Sequence, residues 1–315
     1  MADWNSAYTG AQIDAGIALA NTAVQSIPTA SENAFGGVKA DAKTAADTQV
    51  VRIGSDGKLY TAPGSSIGVY NNAGAHNSIY RGKYLGDAVT AAQWSAIGSG
   101  TFEDLYIGDY WTINNVNWRI AAFDYWLHYG DAECTTNHVV IVPDSNLLNG
   151  DGSTTHWLNA TDTASGAYVN MDFYKGTNGN TGKAQCISMI NSAFGSSHIL
   201  THREYFKNAI TDGYESSGAW YDSTLEVMTE QMVYGCKVFG NVTNGTNTPA
   251  SYTIDTAQLP QFALNHSHIC NRANWWLRDV ASASTFAFVD YSGFCSSTRA
   301  SLSWVGIRPA FAVKA

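Results

Sequence analysis

Trp275-Trp276-Leu277-Arg278-Asp279 and Gly306-Ile307-Arg308-Pro309-Ala310-Phe311 are two dense apolar anchors near the C-terminus, each carrying an arginine among large hydrophobic residues. The stretch between them, Val280 to Trp304, is made largely of Ala, Ser, Thr, Gly and aromatics, with only Asp290 and Arg299 charged. Phe288, Asp290, Tyr291, Phe294 and Arg299 stand there among small residues. Tyr, Ser, Gly and Arg on a small-residue background is the chemistry of an antibody paratope, which gives rigid amphipathic contact area at low entropic cost. An ordinary sheet with core Phe and solvated Ser has the same composition. Trp275 to Arg278, Phe286 to Tyr291 and Ile307 to Val313 read as strands.

Moving upstream, short apolar runs alternate with Gly, Asn, Asp and Ser clusters. Tyr106 to Ile113 and Val116 to Ala121 read as a hairpin around Asn114-Asn115. His138 to Val142 reads as a buried strand stopped by Pro143. Helices are expected at Ala184 to Phe194 with Gly195 as the stop, at Arg203 to Ile210 and at Ser223 to Tyr234. Helices in the middle and strands at both ends make an α+β body over residues 66–315. Residues 1–65 differ in character. Thr9 with Gln12 resembles a capping box, and Ile13, Ile17, Ala20 and Val24 follow as a narrow stripe that Pro28 ends. A linker follows, then Val50 to Ile53 and Lys58 to Thr61 bracket an Asp56-Gly57 turn, a second hairpin signal. Neither element can form a core alone, so this segment needs a partner or its own copies.

The chain has 315 residues with 26 acidic and 17 basic side chains, a formal net charge of −9. No basic cluster of the kind a nucleic-acid binder carries is present. No apolar run approaches the roughly 20 residues of a membrane helix. The N-terminus shows neither the basic nor the apolar region of a cleavable secretory signal. Charged residues make up 14%, below the roughly 25% typical of soluble domains. Ser, Thr, Asn and Gly fill the gap, a surface more typical of secreted or virion proteins. The five cysteines, Cys134, Cys186, Cys236, Cys270 and Cys295, are odd in number and far apart, which fits buried free thiols.

Motifs with chemistry are weak. His198 and His202 have metal-ligand spacing but lack the Glu of a metalloprotease helix. His266-Ser267-His268 lacks an obvious third ligand. Asn149 to Ser153 resembles part of a calcium loop without its later Glu. Asp222 and Glu226 would share a face of the helix expected there, where a solvated or capping role is common. No phosphate loop, dinucleotide fingerprint or nucleophile elbow occurs. No metal and no cofactor is expected. Asn159, Asn241, Asn244 and Asn265 begin glycosylation sequons, which matter only in a eukaryotic secretory route.

The frame Cys270-Asn271-Arg272…Trp275 to Ser282…Gly306 to Phe311 resembles the variable proteins of diversity-generating retroelements, which carry a C-type-lectin-like fold and are common in gut bacterial phages. Ile120 to Tyr125, Val139 to Asp144, Ser197 to Arg203, Gly218 to Ser223 and Gln258-Leu259-Pro260 are similar to segments of phage-encoded members, so the resemblance covers roughly residues 100–315. The N-terminal segment, with Gly36-Gly37-Val38-Lys39, resembles tail-fibre attachment sequence. The family's reverse transcriptase miscopies template adenines, mostly in AAC codons, which cannot yield Lys, Glu, Gln, Met or Trp. None of these occurs from Asp279 to Ser303.

The resemblance implies variable, ligand-binding positions at Thr285, Phe288, Asp290, Tyr291, Phe294, Ser296, Ser297, Thr298, Arg299 and Leu302, within a region of about 280–304. It implies a scaffold of Trp275, Trp276, Leu277, Arg278, Trp304, Ile307, Arg308, Pro309 and Phe311. Cys295 departs from the pattern, where a small residue is usual, and lectin-type calcium ligands are not evident. The implied protein is a non-enzymatic phage tail receptor-binding protein on the virion. Its partners would be a bacterial surface protein or glycan, other tail proteins through the N-terminus, and its own copies in a homotrimer. An enzyme on a formylglycine-generating-like or glycan-cleaving scaffold and a bacterial surface adhesin of the same fold are the alternatives.

Overall fold

The computed structural model describes residues 11, 14, 15, 18, 51–53, 59–61, 71–149, 182–207, 210–211, 214–215, 218–239 and 257–315. The chain divides into two compact units, Met1–Gly68 and Val69–Ala315. In the first unit, Ala11, Asp14, Ala15 and Ala18 are helical and exposed. Strands β1 (Val51–Ile53) and β2 (Leu59–Thr61) pair antiparallel with Val51 opposite Thr61, the hairpin expected from the sequence. The Thr9/Gln12 capping box and the stripe from Ile13 to Val24 lie outside the described residues.

The second unit mixes helices with sheets and is mostly β. It opens with α1 (Ala73–His76) and α2 (Ala91–Gly98). A capping box starts α2: Thr90 Oγ1 accepts from Gln93 N at 3.2 Å, and Gln93 Oε1 accepts from Thr90 N at 2.9 Å. The same Gln93 oxygen accepts from Trp111 Nε1 at 3.1 Å, which ties this helix to β3 (Tyr110–Ile113). Asn114 and Asn115 turn β3 into β4 (Val116–Phe123) with φ of 53° and 62°. Asparagine tolerates that left-handed region, and a pair of such residues matches the twist of the flanking strands.

β5 (Val139–Pro143) is buried along its whole length beside β4. α3 (Gly182–Phe194) ends where Gly195 takes a φ of 83°. β6 (His202–Lys207), β7 (Ile210–Thr211), β8 (Tyr214–Glu215) and β9 (Gly218–Ser223) follow. β6 pairs with β9 and β7 with β8 in one continuous register, His202 opposite Ser223 and Thr211 opposite Tyr214. Arg203 to Lys207 and Ile210 are therefore strand, where a helix was expected over Arg203 to Ile210. The ladder to residues 218–223 gives the backbone partners that outweigh a short helical pattern. Ser223 to Tyr234 also departs from expectation. It forms β10 (Leu225–Val227) and then α4 (Glu230–Tyr234), capped by Thr229.

The remaining elements are α5 (Pro260–Leu264), β11 (Trp275–Val280), β12 (Thr285–Val289), β13 (Cys295–Arg299) and β14 (Pro309–Val313). The main sheet has the antiparallel order β10-β14-β5-β4-β3. Residues 83–86 cover its β3 edge through bonds such as Tyr110 N to Lys83 O at 3.0 Å. The second sheet has the order β11-β12-β13.

Two apolar clusters form the core, one on each side of β11 and β12. Trp276, Phe286 and Phe288 enter the first, with Trp118, Ile307 and Phe311. Trp275, Leu277, Ala287 and Val289 enter the second, with Met232, Phe262 and Ala310. Gly306 links the two sheets, because its carbonyl accepts from Trp276 N at 3.0 Å and its N–H donates to Asn274 O at 2.9 Å. A Cβ at Gly306 would lie 2.3 Å from Asn146 Nδ2 and 2.7 Å from Leu148 O, so only glycine fits this crossing.

Both frame arginines are built into the interior. Arg308 is fully buried and donates to Pro143 O at 2.8 Å and His268 O at 2.7 Å, with its guanidinium over the Trp275 ring. Burial lowers its pKa to about 10. Arg278 donates to Glu204 Oε2 at 3.1 Å. Burial acts to raise the Glu204 pKa, but Arg278 and His202 outweigh it and hold the group at about 2.

Trp276→Ala removes a fully buried indole between β12 and the main sheet. Its expected cost is about 3–5 kcal/mol. The check is the urea midpoint of the whole chain, read by tryptophan fluorescence. An unchanged midpoint would contradict the two-sided core.

Candidate binding face

The β12–β13 connection is a short loop with an unusual amount of bracing. Asp290 closes it: its N–H donates to Phe294 O at 2.9 Å, and its carbonyl accepts from Gly293 N at 2.9 Å. Asp290 Oδ1 also accepts from Ser292 N at 2.8 Å and Phe294 N at 3.0 Å. Gly293 has a φ of 89°, and a Cβ there would lie 3.0 Å from Cys270 Cβ. The flanks hold the loop as well. Asn274 Oδ1 accepts from Tyr291 N at 2.9 Å, and Tyr234 Oη donates to Gly293 O at 2.9 Å. Cys270 Sγ donates to Tyr291 O at 3.3 Å. The backbone of the tip is thus satisfied by Asp290 within the loop and by Asn274, Tyr234 and Cys270 outside it. Its side chains Tyr291 and Phe294 stand in solvent at 61% and 70% exposure, the highest of the large hydrophobics among the described residues.

A second loop is tethered beside this hairpin. Glu230 opens α4 and is fully buried. Its carboxylate accepts from Val238 N at 2.7 Å and Phe239 N at 2.8 Å. It also accepts from Cys295 Sγ at 3.1 Å, one residue beyond Phe294. Val238 and Phe239 are themselves exposed. One buried carboxylate therefore fixes two apolar loops near the start of β13.

Asp279 lies under the same group and accepts from Glu230 N at 2.6 Å. Burial, and then the Glu230 charge, raise its pKa to about 7. Burial, and then the bond to Glu230, push the Cys295 thiol far above its ordinary range.

The positions expected to be variable divide by surroundings. Phe288 is a correction: it is buried, edge-on to Trp276 with ring centres 6.2 Å apart and to Trp304 at 5.4 Å. β12 has core on both faces, so none of its central side chains can reach a ligand. Asp290 is half-buried, and its carboxylate bonds the loop backbone. Thr285 bonds Ser282 Oγ at 2.7 Å at the start of β12. Ser296, Ser297 and Thr298 are half-buried on β13, opposite Phe288, Ala287 and Phe286, and Arg299 is exposed opposite Thr285. Leu302 is half-buried against the first cluster. Of the expected scaffold, Trp275, Trp276, Leu277, Arg278, Ile307, Arg308, Pro309 and Phe311 are buried, whereas Trp304 is 39% exposed and covers Phe288 from outside.

The residues weighed for chemistry are dispersed. His198 Nδ1 bonds Lys314 O at 2.9 Å and its ring stacks on Trp94, while His202 sits on β6 against Glu204. His268 Nε2 bonds Tyr80 Oη at 2.6 Å. Asp222 binds Arg203, and Glu226 binds Ser223 and Lys183, so the two carboxylates share no helix. Among the described residues, no group of three or more His, Cys, Asp or Glu could hold a metal ion. Cys134, Cys186, Cys236, Cys270 and Cys295 are free, but only Cys134 and Cys186 are buried and Cys236 is exposed, which corrects the expectation of buried thiols.

Tyr291→Ala and Phe294→Ala are each expected to shift stability by less than about 0.5 kcal/mol. Gly293→Ala, strained by its φ and by Cys270, is expected to lower the melting temperature clearly, and calorimetry on the three variants checks the contrast.

Asp279 predicts a pH effect. Its folded pKa of about 7 lies above the ordinary value of 3.8, so between these values the folded state holds a proton that the unfolded state has released. This group's contribution is full below pH about 4 and falls as pH rises to about 7. Asp279→Asn should flatten that fall, with the variant gaining on the parent as pH rises, in urea titrations across this range.

No curated protein and no solved structure matches the chain. Residues 155–315, the span that holds the hairpin, both anchors and the Glu230 tether, match the family described as Domain of unknown function (DUF6273), and the chain belongs to that family.

Proposed function

We propose that this chain is a phage tail receptor-binding protein whose C-terminal face binds a bacterial surface protein or glycan and is diversified by a retroelement. The observation that carries the reading is the braced hairpin tip. Its backbone geometry depends on Asp290, Gly293, Asn274, Tyr234 and Cys270, while Tyr291 and Phe294 project into solvent. A site that exchanges side chains between generations needs this separation, since surface substitutions away from caps and cores change stability little. Rigid, exposed aromatics also lose little entropy on contact. The binding positions on this reading are Tyr291, Phe294 and Arg299 with the half-buried Ser296, Ser297 and Thr298. Val238 and Phe239 supply a constant apolar border.

The C-type-lectin-like fold belongs to this proposal, supported by the anchors around a small-residue hairpin. The Met1–Gly68 unit attaches the protein to other tail proteins and brings it together as a homotrimer. Several weak contacts on one particle then bind far more tightly than one. The net charge of −9 speaks against a nucleic-acid partner. Among the described residues no helix is long and apolar enough to cross a membrane. The enzyme alternative gains nothing from Cys295, because a half-buried thiol that donates to a carboxylate, its pKa pushed up, is the opposite of an activated nucleophile.

The test is adsorption of the full-length protein to host cells. Replacing Tyr291 and Phe294 together by Ala should weaken adsorption at least about tenfold, a loss of about 1.4 kcal/mol, at an unchanged melting temperature. Equal adsorption by the parent and the double variant would sink the reading.

A further inference from the structure

The turn that carries Arg272 runs beside the hairpin tip. Cys270 and Asn274, two residues to either side of Arg272, bond Tyr291 through its carbonyl at 3.3 Å and its N–H at 2.9 Å. The turn is itself fixed. Asn271 Oδ1 accepts from Ala273 N at 3.1 Å, and Asn271 Nδ2 donates to Asn146 Oδ1 at 3.0 Å. Asn146 Nδ2 donates in turn to Asn274 O at 2.9 Å.

Arg272, in the middle of this turn, is exposed and has a φ of 63°. That left-handed region suits glycine and asparagine and disfavours longer side chains. Arg81, Arg119, Arg203 and Arg278 each bind a carboxylate of this chain. The Arg272 guanidinium has no hydrogen-bond or ion-pair partner among the described residues. It is a cation held on a disfavoured backbone, beside exposed aromatics, that contributes no bond to the folded chain. Such an outlier points to a contact made outside the chain.

The face therefore has two parts. Tyr291, Phe294, Val238 and Phe239 are apolar and exposed, so the matching surface is apolar. Arg272 adds a planar fork of donors, which a carboxylate meets with two parallel bonds. The net charge of −9 repels an acidic partner at a distance. At physiological salt the Debye length is about 8 Å, so the charge in direct contact outweighs the distant ones. Asp290, Asn274 and Tyr234, the polar side chains around the tip, are used by its backbone. A glycan, held by many directed hydrogen bonds, meets few of them here. A folded protein supplies both the apolar area and an acidic side chain beside it. On the hairpin reading, on which this rests, we propose that the face takes a protein rather than a glycan, with an apolar patch seated on Tyr291 and Phe294 and an Asp or Glu carboxylate on Arg272.

The full-length protein is tested for adsorption to host cells that are intact, shaved with proteinase K, or oxidised with periodate. Adsorption should fall at least about tenfold on shaved cells and persist on oxidised ones. Arg272→Asn, which removes the guanidinium and suits the backbone, should weaken adsorption to intact cells about tenfold at an unchanged melting temperature. Arg272→Glu, which turns attraction into repulsion, should weaken it further. Should Arg272→Asn fail to fold, Arg272→Glu decides. Adsorption that survives proteinase K, that periodate abolishes, or that is indifferent to the Arg272 substitutions would each overturn the assignment. The two readings fail separately. Loss of adsorption in the Tyr291 and Phe294 double variant but not in the Arg272 variants removes the carboxylate partner and leaves the hairpin reading standing.

Discussion

Two adjacent tryptophans on one strand, both fully buried, impose the constraint on which the body depends. Neighbouring side chains of a strand point to opposite faces. Trp275 and Trp276 can both be buried only if β11 has core on its two sides. The second sheet is accordingly sandwiched between the cluster around Phe311 and Trp118 and the cluster around Phe262 and Met232. β12 inherits the same condition from its place between β11 and β13. β13, at the edge, and the loop that leads into it retain access to solvent. The location of the exposed face thus follows from the burial of a tryptophan pair on the strand two places away.

Buried charge is the second organising feature, and it runs beneath the same sheet. Arg308 is bound by carbonyl oxygens, Arg278 by Glu204, and Glu230 by backbone amides and a thiol. Such groups are costly to remove from water and add stability only when their bonds are complete. Their geometric demands are strict, which suits a scaffold that must hold two loops in fixed positions. Asp279 shows the limit of the arrangement. A second carboxylate placed against Glu230 in a dry site has its pKa raised to about 7 by burial and then by the Glu230 charge, at the end of the first anchor.

Much of the sheet structure was legible because it was written in local chemistry. Asn114-Asn115 marked the β3–β4 turn, the uninterrupted Val139 to Val142 run marked a strand buried on both faces, and Gly195 marked the end of α3. The anchors marked β11 and β14. The β6–β9 hairpin was missed, although Asp212-Gly213 lies between the paired Thr211 and Tyr214 and is a hairpin signal. The helical spacing in Arg203 to Ile210 masked it. At the site, Tyr291 and Phe294 stood out by composition. Phe288 did not, because a core phenylalanine and an exposed one look alike until the far face of their strand is known. The Glu230 tether left no trace in sequence, since its partners are backbone amides that any residue at 238 and 239 would supply.

The contrast between Phe288 and Phe294 sharpens what a tolerant surface requires. Both are phenylalanines in the same low-charge stretch, close in sequence, on one hairpin. Phe288 touches Trp276 and Trp304 and is closed off by them, so its replacement would open a cavity against rings that cannot collapse inward. Phe294 contributes its backbone N–H and carbonyl to the loop, and any residue except proline contributes the same two groups. Tolerance is therefore a property of where the stabilising bonds begin. At the tip they begin on the main chain and end on Asp290, Asn274, Tyr234 and Cys270, so exchanging the side chain at 294 leaves every one of them in place.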